Sequence, residues 1–239
     1  MTSPHPATGG DAEPITPVRT PPTPKEEPQE EESPPPLLAG RFGPPPLQTP
    51  RQTFAHHSMF RRFWRVNREE PELLVYAAGV CNSAGSDSSR AACGWLFNAH
   101  VARFCFRLEN SGPTGNIYPQ TKERAELRAA IHALTIRQWA GEGWRNVVIA
   151  TDSKHVVNGV TGQISTWLQW DWQDPSRGMD EDWDLWAFLL GVIRRLFLDG
   201  VRVSFWLIPR GWNAQARELA QMATEAPDVE AFVVQKYLR

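Results

Sequence analysis

The sequence predicts an α/β fold, a five-stranded mixed sheet with helices on both faces. Three observations predict it. Three apolar runs follow one another through short connections, as in an antiparallel meander. Helix and strand patterns then alternate to the end of the body. Composition divides the chain: of 21 prolines, 15 lie in the first 50 residues, while all 11 tryptophans lie after residue 50. A proline-rich arm therefore precedes one aromatic-rich domain.

The elements follow in order. Residues 1–50 read as a disordered Pro/Glu-rich arm, because Pro21, Pro22, Pro24, the acids from Glu26 to Glu32 and the Pro34 to Pro36 run build no core. Such an arm is a solvated tail or a polyproline ligand for a protein partner. Residues 51–70 form a basic, aromatic lead-in. Arg51, Arg61, Arg62, Arg65 and Arg68 alternate there with Phe54, Phe60, Phe63 and Trp64. Arginines among aromatics grip phosphates and stack on bases; the other reading is that the aromatics pack on the domain.

The domain is expected over 71–225, with a tail over 226–239. Residues 73–80, 90–97 and 101–108 are the three strands of the meander. Residues 82–89 and 109–120 are loops rich in Ser, Gly and Pro. Thr121 caps a helix reaching about Ala140, with Leu127, Ile131 and Leu134 on one face, and Gly141 and Gly143 end it. Residues 146–151 (NVVIAT) are a wholly apolar strand of the buried parallel kind. A short helix over 153–160 precedes a stretch dense in tryptophan (Trp167, Trp170, Trp172). A helix over 182–198, a strand over 201–208 and a helix capped by Asn213 complete the order strand, strand, strand, helix, strand, helix, helix, strand, helix.

The charge is divided like the composition. Residues 1–50 sum to −4 and the rest to +2, so the near-neutral body neither requires nor excludes nucleic acid. Cys81, Cys93 and Cys105 are odd in number and lack CxxC spacing, which fits free thiols on strands, not a disulfide frame or a zinc site. No apolar run approaches the length of a membrane span, and no secretory signal is present, so no membrane partner is expected and the location is intracellular, nuclear or cytoplasmic.

Several stretches carry chemistry. VYAAGVC (75–81), TKERAELRAAIHAL (121–134), VVIATDSKHVV (147–157), DWDLW (182–186) and WNAQARELA (212–220) occur in this order. Together they resemble the type 1 ribonucleases H, over about residues 72–224. The resemblance implies an RNase H-like fold and an endonuclease that hydrolyses the RNA strand of RNA–DNA hybrids with Mg²⁺ or Mn²⁺. Two such ions clamp the attacking water and the leaving oxygen. Being hard cations, they need oxygen ligands, which four carboxylates supply.

Only two of those four positions are acidic here. Glu126 stands at the helix position and Asp152 at the end of the fourth strand, so both are the candidate catalytic and metal-binding residues. Ala78 stands at the first-strand position and Arg217 at the last-helix position. A unit positive charge ~4 Å from a divalent ion costs up to roughly 8 kcal/mol at an effective dielectric near 20. Metal-dependent catalysis is therefore expected to be weak or lost, which leaves a non-catalytic nucleic-acid or protein interaction module as the alternative. The family's loop histidine has no counterpart: Arg210, Gly211 and Trp212 fill that loop. By resemblance, Asn82, Gln120, Arg124 and Ser153 are candidate contacts to the hybrid, joined by Arg61, Arg62 and Arg65 of the lead-in.

Overall fold

The computed structural model of the chain describes residues 39–57, 62–67, 70–86, 88–97, 103–169, 173–174, 178–179 and 181–234. Its strands and helices are, in chain order, β1 (Ala39–Arg41), α1 (Pro50–Thr53), β2 (Ala55–His57), β3 (Arg62–Asn67), β4 (Glu70–Asn82), β5 (Arg90–Leu96), β6 (Arg103–Arg107), α2 (Lys122–Thr135), β7 (Asn146–Thr151), α3 (Lys154–Asn158), α4 (Ile164–Gln169), β8 (Gln173–Asp174), β9 (Gly178–Met179), α5 (Trp183–Leu198), β10 (Arg202–Leu207) and α6 (Ala214–Ala223). A π-helical turn, Gly159–Gln163, joins α3 to α4, and a 3₁₀ turn, Arg210–Asn213, leads into α6.

The five expected strands are β4, β5, β6, β7 and β10, and the expected helix and strand order holds over 70–223 except that α4 and the β8–β9 pair are inserted between α3 and α5. The main sheet is larger, with eight strands. β7 lies between β4 and β10 and is parallel to both, and every one of its six residues is buried. That is why it reads as a continuous apolar run. β4 is long enough to serve two neighbours along one edge. Residues 70–73 pair with β3, and residues 76–82 pair with β5.

The extra strands correct the expected boundaries. The described part of the arm, residues 39–50, is folded: β1 runs parallel to β10, and Phe42 is buried. Its prolines are compatible with order because they sit in a loop and at the first position of α1, where a missing N–H costs nothing. Thr49 caps α1 in a capping box with Gln52. The lead-in supplies β2 and β3, and its aromatics pack inward. Phe54 has no exposure, and its ring lies 5.6 Å from Phe42 and 6.5 Å from Trp206.

The sheet carries a core on each face. On one side α2, α3 and α5 bury Leu127, Val157, Trp186 and Leu189 against Leu73, Val75 and Ala77. On the other, Phe42, Phe54, Phe63 and Ala216 of α6 cover Leu74, Tyr76 and Ala78. Both helical layers sit close. A Cβ on Gly79 would meet the backbone N of Glu126 at 2.2 Å, and one on Gly94 the carbonyl of Ala216 at 2.3 Å. Gly159 is fixed likewise by the ring of Trp186.

Two local expectations differ. The first helix stops at Thr135, five residues early, and Trp139 beyond it is buried, its indole donating to the Leu134 carbonyl at 3.1 Å. Asn213 precedes α6 but makes no side-chain cap. The three cysteines are free and on strands, Cys81 half-buried, Cys93 buried and Cys105 exposed. Trp170, Trp172 and most of the Pro-rich arm lie outside the described residues. Among the described residues, no helix is long and apolar enough to cross a membrane.

Candidate active site

The register of the sheet aligns two of the four motif positions. Tyr76 pairs with Ala150, so Ala78, within β4, and Asp152, just past the end of β7, lie at the same level. Gly79 presses on the backbone of Glu126, which sets α2 at that level too. α6 brings Arg217 from the opposite face.

Glu126 is buried and held on both oxygens. Oε2 accepts from the Ser153 hydroxyl at 2.6 Å, and Oε1 pairs with Lys122 Nζ at 2.9 Å one helical turn away. Burial raises its pKa, opposed by Ser153 and Lys122, and the nearby Asp152 charge raises it further. Ser153 also caps α3 by accepting from the Val156 N–H at 3.1 Å. It therefore orients one of the two retained acids while starting the helix behind the other.

Asp152 is also fully engaged. Oδ1 accepts from Asn213 Nδ2 at 2.7 Å, and Oδ2 pairs with Arg217 Nη1 at 3.2 Å. Asn213 is itself buried, and its amide also donates to the Ala77 carbonyl at 2.9 Å, tying α6 to β4. Sequence reasoning assigned Asn213 only to capping; its place inside WNAQAR was the available signal.

These donors do not fit a pair of divalent ions. Two carboxylates stand where four are needed, and each already holds a cation of the chain. Ala78 is buried and apolar. Asn213 Oδ1 is buried without a partner, but one neutral oxygen does not replace two missing charges. Among the described residues, no group of three or more His, Cys, Asp or Glu side chains converges.

The expected hybrid contacts are mostly structural. Arg124 is buried in a bidentate pair with Asp184, at 2.8 and 2.7 Å, and a further bond to Asp182 at 3.1 Å, under the Tyr118 ring. It locks α2 to the start of α5. Gln120 accepts from Ala91 N and Arg107 and donates toward the carbonyls of residues 108 and 109, pinning the loop to the meander. Asn82 bonds Thr224 and Gln221 of the α6 end. Arg62 pairs with Glu142 at 2.7 Å and lies over the Phe97 ring; Arg65 pairs with Glu72 at 2.5 Å and lies over Phe42 and Phe54. Both lead-in arginines thus cement the added strands. Arg61 lies outside the described residues.

The family model for RNase H matches residues 70–199, just over half of the sequence. The chain belongs to the RNase H family. It is 37% identical over 86 residues to the ribonuclease H of Treponema pallidum subsp. pallidum, covering 36% of this chain and 50% of that protein. It is 31% identical over 109 residues to ribonuclease H1 of Rattus norvegicus, covering 45% and 34%. The chain thus spans half or less of these relatives' length. A crystal structure of RNase H1 from Halobacterium salinarum NRC-1 aligns with a TM-score of 0.41 and 22% identity, over 65% of this chain and 99% of that one. The RNase H match ends before Asn213 and Arg217, so their part in the site rests on what they touch, which is Asp152.

Proposed function

We propose that this RNase H type 1 domain protein recognises RNA–DNA hybrids and that its metal-dependent hydrolysis of the RNA strand is weak or lost. Family membership supports the substrate class. One observation carries the loss of hydrolysis: the Arg217 guanidinium is paired with Asp152, while Ala78 supplies no ligand opposite it. A cation of the chain thus neutralises the carboxylate that would otherwise anchor a metal ion. Glu126 and Asp152 then act in holding the edge together through Ser153, Lys122, Asn213 and Arg217.

The experiment uses a labelled RNA–DNA hybrid with the full chain in Mg²⁺ and in Mn²⁺, beside a Glu126→Gln variant. Binding that weakens with added salt, without cleavage above the variant's background, is the expected result. Cleavage by the parent that Glu126→Gln abolishes would overturn the loss of hydrolysis. Absence of hybrid binding would overturn the substrate class.

A further inference from the structure

Most large aromatic side chains of the described residues turn inward, and Trp212 does not. It is 43% exposed and is the one tryptophan among the exposed large apolar side chains of the described residues. It sits in the 3₁₀ turn directly before Asn213, next to the edge that holds Asp152. A cavity of about 340 Å³ opens beside it. Its walls come from three separate parts of the chain: Thr49 to Arg51, Tyr76 of β4, and the stretch from Gly211 to Ala216. Of these, only Tyr76 lies within the residues that match the family.

The chemistry of the walls is mixed. Trp212 offers a flat apolar face. The Arg51 guanidinium gives one N–H to Gln215 Oε1 at 3.2 Å and retains further donors; among the described residues it makes no ion pair. The Tyr76 phenol also lines the cavity, and burial pushes its pKa up to about 12, so that hydroxyl stays neutral and able to donate. On the far side of the turn a second hollow, about 350 Å³, is lined by Arg210 and Arg217 together with Glu218. There Glu218 and the Asp152 carboxylate paired with Arg217 offset the two arginines, whereas no acid lines the cavity at Arg51, which is the better home for an anion.

We infer that the cavity between Arg51, Tyr76 and Trp212 binds one unpaired nucleotide of a single strand, its base stacked on Trp212 and its phosphate on Arg51. Every base has a π face, so an aromatic beside an arginine is the recurring platform for single strands. A guanidinium suits phosphate through its fork of donors. The cavity lies at the small end of ligand pockets and admits one base. Bases within a duplex are stacked on each other and do not reach such a ring, whereas splayed ones do. This site extends the hybrid reading to an unpaired end or overhang and does not depend on catalysis.

Fluorescence anisotropy with the full chain tests it, using labelled single-stranded DNA and RNA of about eight nucleotides and a blunt RNA–DNA hybrid. The single strands are expected to bind, and Trp212→Ala and Arg51→Gln each to weaken them about five- to tenfold, as loss of a base–aromatic stack or a phosphate contact does. Trp212→Phe, which keeps a ring, retains most of the affinity. All three variants should melt with the parent, because both side chains are at the surface. No binding of single strands, or Trp212→Ala binding as well as the parent, overturns the site. The blunt hybrid separates the two readings. Hybrid binding without single-strand binding sinks this site and leaves the proposed function; single-strand binding through Trp212 without hybrid binding does the reverse.

Discussion

Arg217 Nη1 lies 3.2 Å from Asp152 Oδ2, a pair that joins α6 to the end of β7 across 65 positions of sequence. The aspartate's other oxygen is held by Asn213, so both lone-pair sides of this carboxylate face donors of the chain. The end of β7 is here closed by an internal cation. Each consequence of that arrangement can be measured.

Reversing the charge should reopen the edge. Arg217→Asp with Ala78→Asp gives the chain a carboxylate at each of the four motif positions, two of them on the aligned strands. Calorimetry should then show Mg²⁺ binding at least tenfold tighter than in the parent, about 1.4 kcal/mol or more. Unchanged Mg²⁺ binding would mean that these four positions do not converge.

Breaking the pair from the other side should cost stability. Asp152→Ala leaves the half-buried Arg217 without its carboxylate and takes one of two acceptors from the buried Asn213 amide, which keeps the Ala77 carbonyl. A loss of about 1–3 kcal/mol in urea denaturation is expected, and a loss near zero would show that the pair holds nothing together.

Glu126 should make stability depend on pH. Burial raises its pKa in the folded protein above the ordinary 4.5. The folded state therefore holds this proton more tightly than the unfolded chain, and the group's favourable contribution, complete below pH 4.5, is lost as pH rises through the raised pKa. Glu126→Gln removes this dependence while keeping an acceptor for Ser153. The melting temperature of the variant relative to the parent should rise between about pH 4 and pH 7. A constant difference across that range would contradict the raised pKa.

The arginine at the start of α2 should behave as a core residue. Arg124→Ala strands Asp184, which has no side-chain exposure, and should cost about 3–5 kcal/mol in chemical denaturation. A surface nucleic-acid contact would instead leave stability unchanged.

The added strands should be part of the cooperative fold. Phe54→Ala empties a fully buried site against Phe42 and Trp206 and should cost about 3–5 kcal/mol. A loss under about 1 kcal/mol would show that residues 39–57 can come away without disturbing the body.

What could be read in the sequence, and what could not, follows the range of the forces involved. NVVIAT is apolar because β7 is covered on both faces, and Thr121 announces α2 because its cap bonds the Arg124 N–H three residues on. Those patterns are local, and the helix and strand order of 70–223, apart from α4 and the β8–β9 pair, was legible from them. Glu126, Asp152, Ala78 and Arg217 could be proposed as site positions on the same local basis, since each sits in a short motif. The prolines before residue 50 masked β1 and α1, because composition reports the average of a stretch and not where one Phe42 is buried.

Local pattern along the chain thus carries an RNase H-like order of elements. What the charges do depends on packing between distant segments. Arg124, Arg62 and Arg65 are all basic residues near motifs, and nothing local separates a phosphate contact from a buried ion pair. Their partners, Asp184, Glu142 and Glu72, are 60, 80 and 7 residues away. A guanidinium's role is set by which carboxylate or ring packing brings within about 4 Å, and for Arg217 that group is Asp152.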